Sequence, residues 1–313
     1  MEYKFAYARS ALKFGLKYLN KDENNIILIP DYICEDVIDP LKYNNLKHVY
    51  YKINDNLEPN WESIERNINK NVKYILMVHY FGKNQNIEKF KFIAKKYNLL
   101  LIEDNAHGYG GKYNNTFLGD FGDISISSPR KLYNIQSGGI LKININNDFL
   151  LQKLPTYKPK KINLFRQQLN HFPKIKKYFK LYLKSRPKYE DIDYFRNSIL
   201  KDYIIDNKSL EYLININFEK QRLLRYNEYI KWKNFAESNN LKPVFSNFEK
   251  DLIPWCFPAY VKDNNEAIKW FDWGWENDVN IFSWPTLPNE IVLNNKVSLN
   301  RWKKLICFSI KNN

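Results

Sequence analysis

Six short runs of Ile, Leu, Val and Tyr recur through the first 150 residues, most of them near-continuous, and this pattern constrains the fold more than any other feature. The runs fall at 26–30, 47–53, 74–79, 99–104, 123–127 and 139–143. Apolar runs without alternation mark strands covered on both faces, as in a mainly parallel sheet. Between them, 88–97 (EKFKFIAKKY) and 61–68 place apolar residues at helical spacing, and 11–19 reads as an opening helix. Strands alternating with helices predict an α/β unit built from crossover connections. Ligands of such sheets bind at the carboxyl ends of the strands, so chemistry is expected in the residues that follow each run.

A chain of 313 residues is long enough for one large core and a smaller companion. The expected division is a large domain over 1–150, a basic linker or helical excursion over 151–208, and a small α+β domain over 209–313 that opens with a long helix at 209–237. The excursion is rich in Lys and Arg, with several prolines and, from 153 to 188, no acid. Its segment PKIKKYFKLYLKS (173–185) alternatively reads as an interfacial helix in peripheral contact with a membrane. No internal repeat is present.

Composition excludes several classes. With 44% hydrophobic and 27% charged residues the chain is that of a folded protein, not a disordered one. No apolar stretch approaches the roughly 18–20 residues that cross a bilayer, and the start MEYKFAYARS lacks a long apolar segment, so a cytoplasmic protein is expected. Cys34, Cys256 and Cys307 are too far apart for metal-ligand spacing and odd in number, which suggests neither a zinc site nor a disulfide framework. The net charge of +15 favours anionic partners such as nucleotides and phosphates, although a chain rich in Lys, Asn, Ile and Tyr also acquires charge from codon usage alone. A nucleic-acid partner is not expected.

The stretch LLLIEDNAHGYGG ends a buried run in Glu103–Asp104 and follows it with His107. A carboxylate at a strand's end can face a ligand, and Asp–Asn is equally a common turn pair. Further on, SISSPRKLYNIQSGG places Ser127, Ser128, Arg130 and Lys131 after another strand, ahead of a Gly138–Gly139 pair suited to a tight turn beside a bulky ligand. A lysine that forms a Schiff base must spend time unprotonated, and burial with Arg130 alongside lowers its pKa.

These segments, together with YARSAL near the N-terminus, ILIPDYICEDV, and ILMVHYFGKNQNIEKFKFIAKKYNLLLIEDNAHGYGGKYN, resemble the DegT/DnrJ/StrS-type sugar aminotransferases over about residues 5–145. The resemblance implies a three-layer large domain of the pyridoxal-phosphate (PLP) transferase type. It implies that Lys131 is the Schiff-base lysine and proton shuttle, that Asp104 pairs with the pyridinium nitrogen, and that His107 lies beside the cofactor ring. Ser128 or Ser127 falls near the phosphate-binding hydroxyl, and Ala8, Arg9 and Ser10 form the phosphate cradle at a helix start. The family usually has Gly–Thr or Gly–Ser at that cradle; here Arg9 offers a guanidinium instead. Cys34 occupies the position where many members stack an aromatic ring, with Tyr32 two residues before it, and Ser137 replaces an acid often found before the Gly pair.

The implied activity is transfer of an amino group, from glutamate by family analogy, to a nucleotide-linked keto-sugar for surface glycan synthesis, in a homodimer. No metal is implied. Two rivals stand beside it: a PLP-dependent sugar dehydratase or decarboxylase, and a non-catalytic basic protein that binds a nucleotide sugar. GYGGKY lacks both the dinucleotide and the P-loop spacing.

Overall fold

The computed structural model describes residues 1–19, 22–145, 151–159, 189 and 201–310. Its larger sheet has seven strands: β1 (Glu2–Phe5), β2 (Ile26–Pro30), β3 (Lys47–Tyr51), β4 (Val72–Val78), β5 (Leu100–Asn105), β8 (Ile124–Ser127) and β9 (Gly139–Ile143), with a small hairpin of β6 (Lys112–Tyr113) and β7 (Thr116–Phe117) beside it. The order across the sheet is β1-β9-β8-β5-β4-β2-β3. Strands β3, β2, β4, β5 and β8 run parallel, whereas β9 is antiparallel to both β8 and β1. The most apolar runs, IILIP and VKYILMV, take the interior of the parallel part, and the more polar KHVYY takes the edge.

Helices α1 (Ala8–Leu19), α2 (Ile38–Tyr43), α3 (Trp61–Asn67) and α4 (Ile87–Tyr97) connect the strands. Asn60 and Asn86 cap α3 and α4 by accepting from the N–H groups of Ser63 and Lys89. Close packing sets the position of α1. A Cβ at Gly15 would lie 2.8 Å from a Leu141 methyl and 2.9 Å from an Ile124 methyl, so glycine lets the helix settle near the sheet without those side chains shifting. Gly139 serves the other end: a Cβ there would lie 2.1 Å from the Tyr7 carbonyl carbon. The second glycine of the pair therefore makes room for the chain entering α1, rather than for a ligand.

Beyond residue 200 the described chain forms α5 (Asn207–Ile214), α6 (Phe218–Ser238), β10 (Lys242–Pro243), β11 (Cys256–Tyr260), α7 (Asn264–Glu276), β12 (Ile281–Phe282), α8 (Asn289–Asn294), α9 (Lys296–Lys304) and β13 (Leu305–Ser309). Its strands make an antiparallel sheet in the order β10-β11-β13-β12, giving the smaller α+β part of an α/β molecule. The single helix expected over 209–237 is two helices. Asn217 adopts extended backbone and its side chain accepts from Lys220 N–H, restarting the helix after a break. One continuous hydrophobic cluster joins the two sheets, from Leu28 and Ile75 to Phe257 and Phe308. Of the basic excursion, 160–188 and 190–200, and with them the segment 173–185, lie outside the described residues.

Candidate active site

The carboxyl ends of β2, β5 and β8 and the first turn of α1 open onto one cleft with about 610 Å³ of free space, part of it open to solvent. Period-two alternation decides which strand-end residues reach it. Along β8, Ile126 and the following Ser128 line the cleft, while Ser127 turns to the opposite face and borders a separate groove with Ser125 and Ile140. Of the two serines considered for a phosphate, the structure brings Ser128 to the cleft and not Ser127.

Along β5 the same alternation separates two adjacent carboxylates. Glu103 is fully buried on the face away from the cleft, where it accepts from His79 Nε2 (2.9 Å) and from the N–H groups of Gly119, Phe121 and Gly122 (2.6, 2.8 and 2.9 Å). Burial alone would raise its pKa, but these donors reverse that and hold it below the ordinary carboxylate value. Asp104 lines the cleft and accepts from Ala106 N–H at 2.9 Å. Burial dominates there and raises its pKa, against the pull of that N–H and of Lys131.

Lys131 sits in a short 3-10 turn that begins with Pro129, right after β8. Its Nζ lies 2.9 Å from His107 Nε2 and 4.9 Å from the centre of the Trp255 ring. Burial, helped by Arg130, lowers its pKa, although Cys34, Asp104 and Asp36 pull the other way. His107 is buried between aromatic rings: it stacks on Trp255 at 4.3 Å and meets Trp284 edge-on at 4.7 Å. Burial pushes its pKa well below the usual histidine value, and any positive charge on Lys131 acts in the same direction.

The cradle is cationic. Ala8 and Arg9 line the cleft from the first turn of α1, and Arg9 Nη1 reaches Asp36 Oδ1 at 3.0 Å. The Ser10 hydroxyl is engaged elsewhere, donating to Asp202 Oδ1 at 2.8 Å, so any part of Ser10 in the cradle rests on its backbone N–H. Arg130, which sequence reasoning treated only as a charge beside Lys131, also lines the cleft, lies over Tyr7 at 5.1 Å, and leaves its buried Nε without a partner among the described residues. Two guanidinium groups at a helix start suit a phosphate.

Cys34 borders the cleft with its thiol pushed up to about 11 by burial. Tyr32 is directed elsewhere, donating its hydroxyl to the Trp284 carbonyl at 2.5 Å, so the aromatic surfaces near Lys131 come from Trp255 and Trp284 of the second half. Arg225 of α6 was also missed: this buried guanidinium donates to the carbonyls of Pro254 (2.8 Å), Leu132 (3.0 Å) and Trp255 (2.9 Å), tying the Trp255 loop to the residue after Lys131. Nothing in its helical setting sets it apart from Arg222, the other arginine of the helix. Ser137 pairs its hydroxyl with Asp206, whose backbone N–H donates back to it.

Residues 5–158 match the model of the DegT/DnrJ/EryC1/StrS aminotransferase family. GDP-perosamine synthase of Escherichia coli O157:H7 is 29% identical over 137 residues, covering 43% of this chain and 38% of that protein. The chain thus spans well under half the length of the curated relatives it matches. Among solved structures, Helicobacter pylori PseC, an aminotransferase involved in the biosynthesis of pseudoaminic acid, superposes with a TM-score of 0.66 at 17% identity, covering 98% of this chain and 81% of that one. Spr1654 of Streptococcus pneumoniae in its PLP form gives a TM-score of 0.69 at 13% identity, covering 98% and 81%. These likenesses establish the fold as that of this group of proteins.

Proposed function

With residues 5–158 assigned to the DegT/DnrJ/EryC1/StrS aminotransferase family, we propose that the chain is a PLP-dependent aminotransferase that passes an amino group from an amino acid such as glutamate to a nucleotide-linked keto-sugar in surface glycan synthesis. One observation carries the reading: Lys131 and Asp104, from the ends of two neighbouring strands, share a cleft with Arg9, Arg130 and the start of α1.

This donor set fits the cofactor. Asp104 is a buried carboxylate open to the cleft and held by a single backbone N–H on one oxygen, which leaves acceptor capacity for a ring N–H. Arg9, Arg130 and Ser128 would hold the phosphate, and His107 would border the ring. PLP, when bound, supplies a conjugated electron sink for a carbon that loses its proton. Asp104 would keep the ring nitrogen protonated, and Lys131 Nζ would be the group that holds the cofactor's aldehyde carbon and, when free, moves a proton at the substrate carbon. The Trp255 ring lies against this nitrogen, and Trp284 lines the cleft beside it.

Homodimerisation and a cytoplasmic location belong to the same proposal; among the described residues, no helix is long and apolar enough to cross a membrane. The test is to load the full chain with PLP, add glutamate without a sugar, and look for one equivalent of 2-oxoglutarate. A panel of keto-sugar nucleotides should then regain the nitrogen as an amino sugar. Failure of every amino donor to release its keto acid would reject amino transfer, and light scattering at the mass of one chain would reject the dimer.

A further inference from the structure

Two contacts to His107 leave one arrangement of protons. The backbone N–H of Phe81 donates to Nδ1 at 3.2 Å, so Nδ1 must present a lone pair. A neutral imidazole then carries its hydrogen on Nε2, the atom that faces Lys131 Nζ at 2.9 Å. Since that N–H donates, Nζ has to accept, and an ammonium has no lone pair with which to do so. We infer that His107 is a fixed N–H donor whose contact holds Lys131 as the uncharged amine.

The lock is rigid on every side. Phe81 sits at φ 56 and ψ 17, a left-handed conformation that is unusual for a bulky buried side chain, and it is this backbone that presents its N–H to the imidazole. The Phe81 ring stacks on His107 at 12°, and the Phe81 carbonyl accepts from Trp255 N–H at 2.9 Å, so the turn, the imidazole and the indole are fixed together. Around Nζ, the carboxylates of Asp104 and Asp36, the Cys34 thiol and the face of Trp255 favour an ammonium, while burial and Arg130 favour the amine. The directional Phe81–His107–Lys131 chain decides between them. A free amine is the form that attacks an aldehyde, so the lock would keep the lysine ready before any cofactor arrives.

The purpose of this lock rests on the reading of Lys131 as the PLP lysine, but its test does not. In the full chain freed of cofactor, the rate of Lys131 reductive methylation is followed against pH by peptide mass spectrometry. The wild-type midpoint should lie below that of exposed lysines on the same chain. His107→Phe keeps a ring against Trp255 but has no donor, and should raise the midpoint by about half to one pH unit, the net worth of one neutral hydrogen bond. His107→Gln can accept from Phe81 and donate to Lys131, and should restore the wild-type midpoint. An unchanged or lowered midpoint in His107→Phe would overturn the inference. Should that variant not fold, long-range 1H–15N spectra of the unmutated chain decide the matter: a proton on Nε2 of His107 supports the lock, and one on Nδ1 rejects it. A chain that binds no PLP yet shows these midpoints would retain the lock and lose the proposed function.

Discussion

Two imidazoles flank the end of β5 in the same manner and reach opposite outcomes. His79 and His107 each accept a backbone N–H at Nδ1, from Gln85 (3.1 Å) and Phe81 (3.2 Å) of the connection between β4 and α4, and so each directs Nε2–H outward. On the far face of the sheet that hydrogen meets Glu103, a carboxylate with three further donors, and every charge is answered. On the cleft face it meets an amine, next to a carboxylate that burial has raised and a guanidinium with a bare Nε. The first arrangement stabilises the fold; the second leaves polar groups waiting for a ligand.

Exchange of the carboxylates is the strongest way to break this contrast. Glu103→Gln puts an NH2 group among four donors and should lower unfolding stability by about 3–5 kcal/mol in urea titrations, the cost of removing one partner from a buried charged network. Asp104→Asn should change stability by less than about 1 kcal/mol. Its penalty should appear in amino transfer instead, on the order of 10²-fold in kcat, as when one preorganised electrostatic group is removed from a reacting centre. Equal stability losses in the two variants would dissolve the distinction between the faces.

The clamp from the second half comes next in size. Arg225→Met strips three buried carbonyls of their donor, and about 2–3 kcal/mol of stability should go with it, together with looser PLP binding as Trp255 and the Lys131 turn come apart. A stable variant with unchanged PLP affinity would show that Arg225 does not position the site.

Acid titration sharpens the same contrast through its sign. Glu103 has a depressed folded pKa, so its stabilisation is present above the ordinary carboxylate value and is lost as pH falls through the folded one. Asp104 has a raised folded pKa, so ionising it opposes folding as pH rises through the interval between its ordinary and folded values. Stability measured across the acid range should therefore fall less steeply in Glu103→Gln than in the wild type. Asp104→Asn should gain most at neutral pH. The smallest effect belongs to the serines: Ser128→Ala should weaken PLP binding about fivefold, one lost hydrogen bond, whereas Ser127→Ala should leave it unchanged.

Much of this was legible because it is local. β2 and β9 fall where their apolar runs begin and end, and Lys131 could be singled out because it follows a strand that such a sheet uses to present ligands, whereas Asp104 and His107 took their roles from the family resemblance. β1 escaped notice: EYKF is short and half polar, and it becomes a strand only by pairing with β9. Alternation announces that Glu103 and Asp104, or Ser127 and Ser128, point to opposite faces, but not which face holds the cleft. Arg225, Trp255 and Trp284 reach the Lys131 turn from about 90 to 150 residues away, where no local pattern marks them.

We propose that Lys131, among all the lysines of a strongly basic chain, carries the cofactor. Borohydride reduction of the PLP-treated full chain, followed by peptide mapping, tests it most directly. A single phosphopyridoxyl group on Lys131 is expected, absent when glutamate is added first. Labelling spread over surface lysines, with Lys131 unmodified, would contradict it.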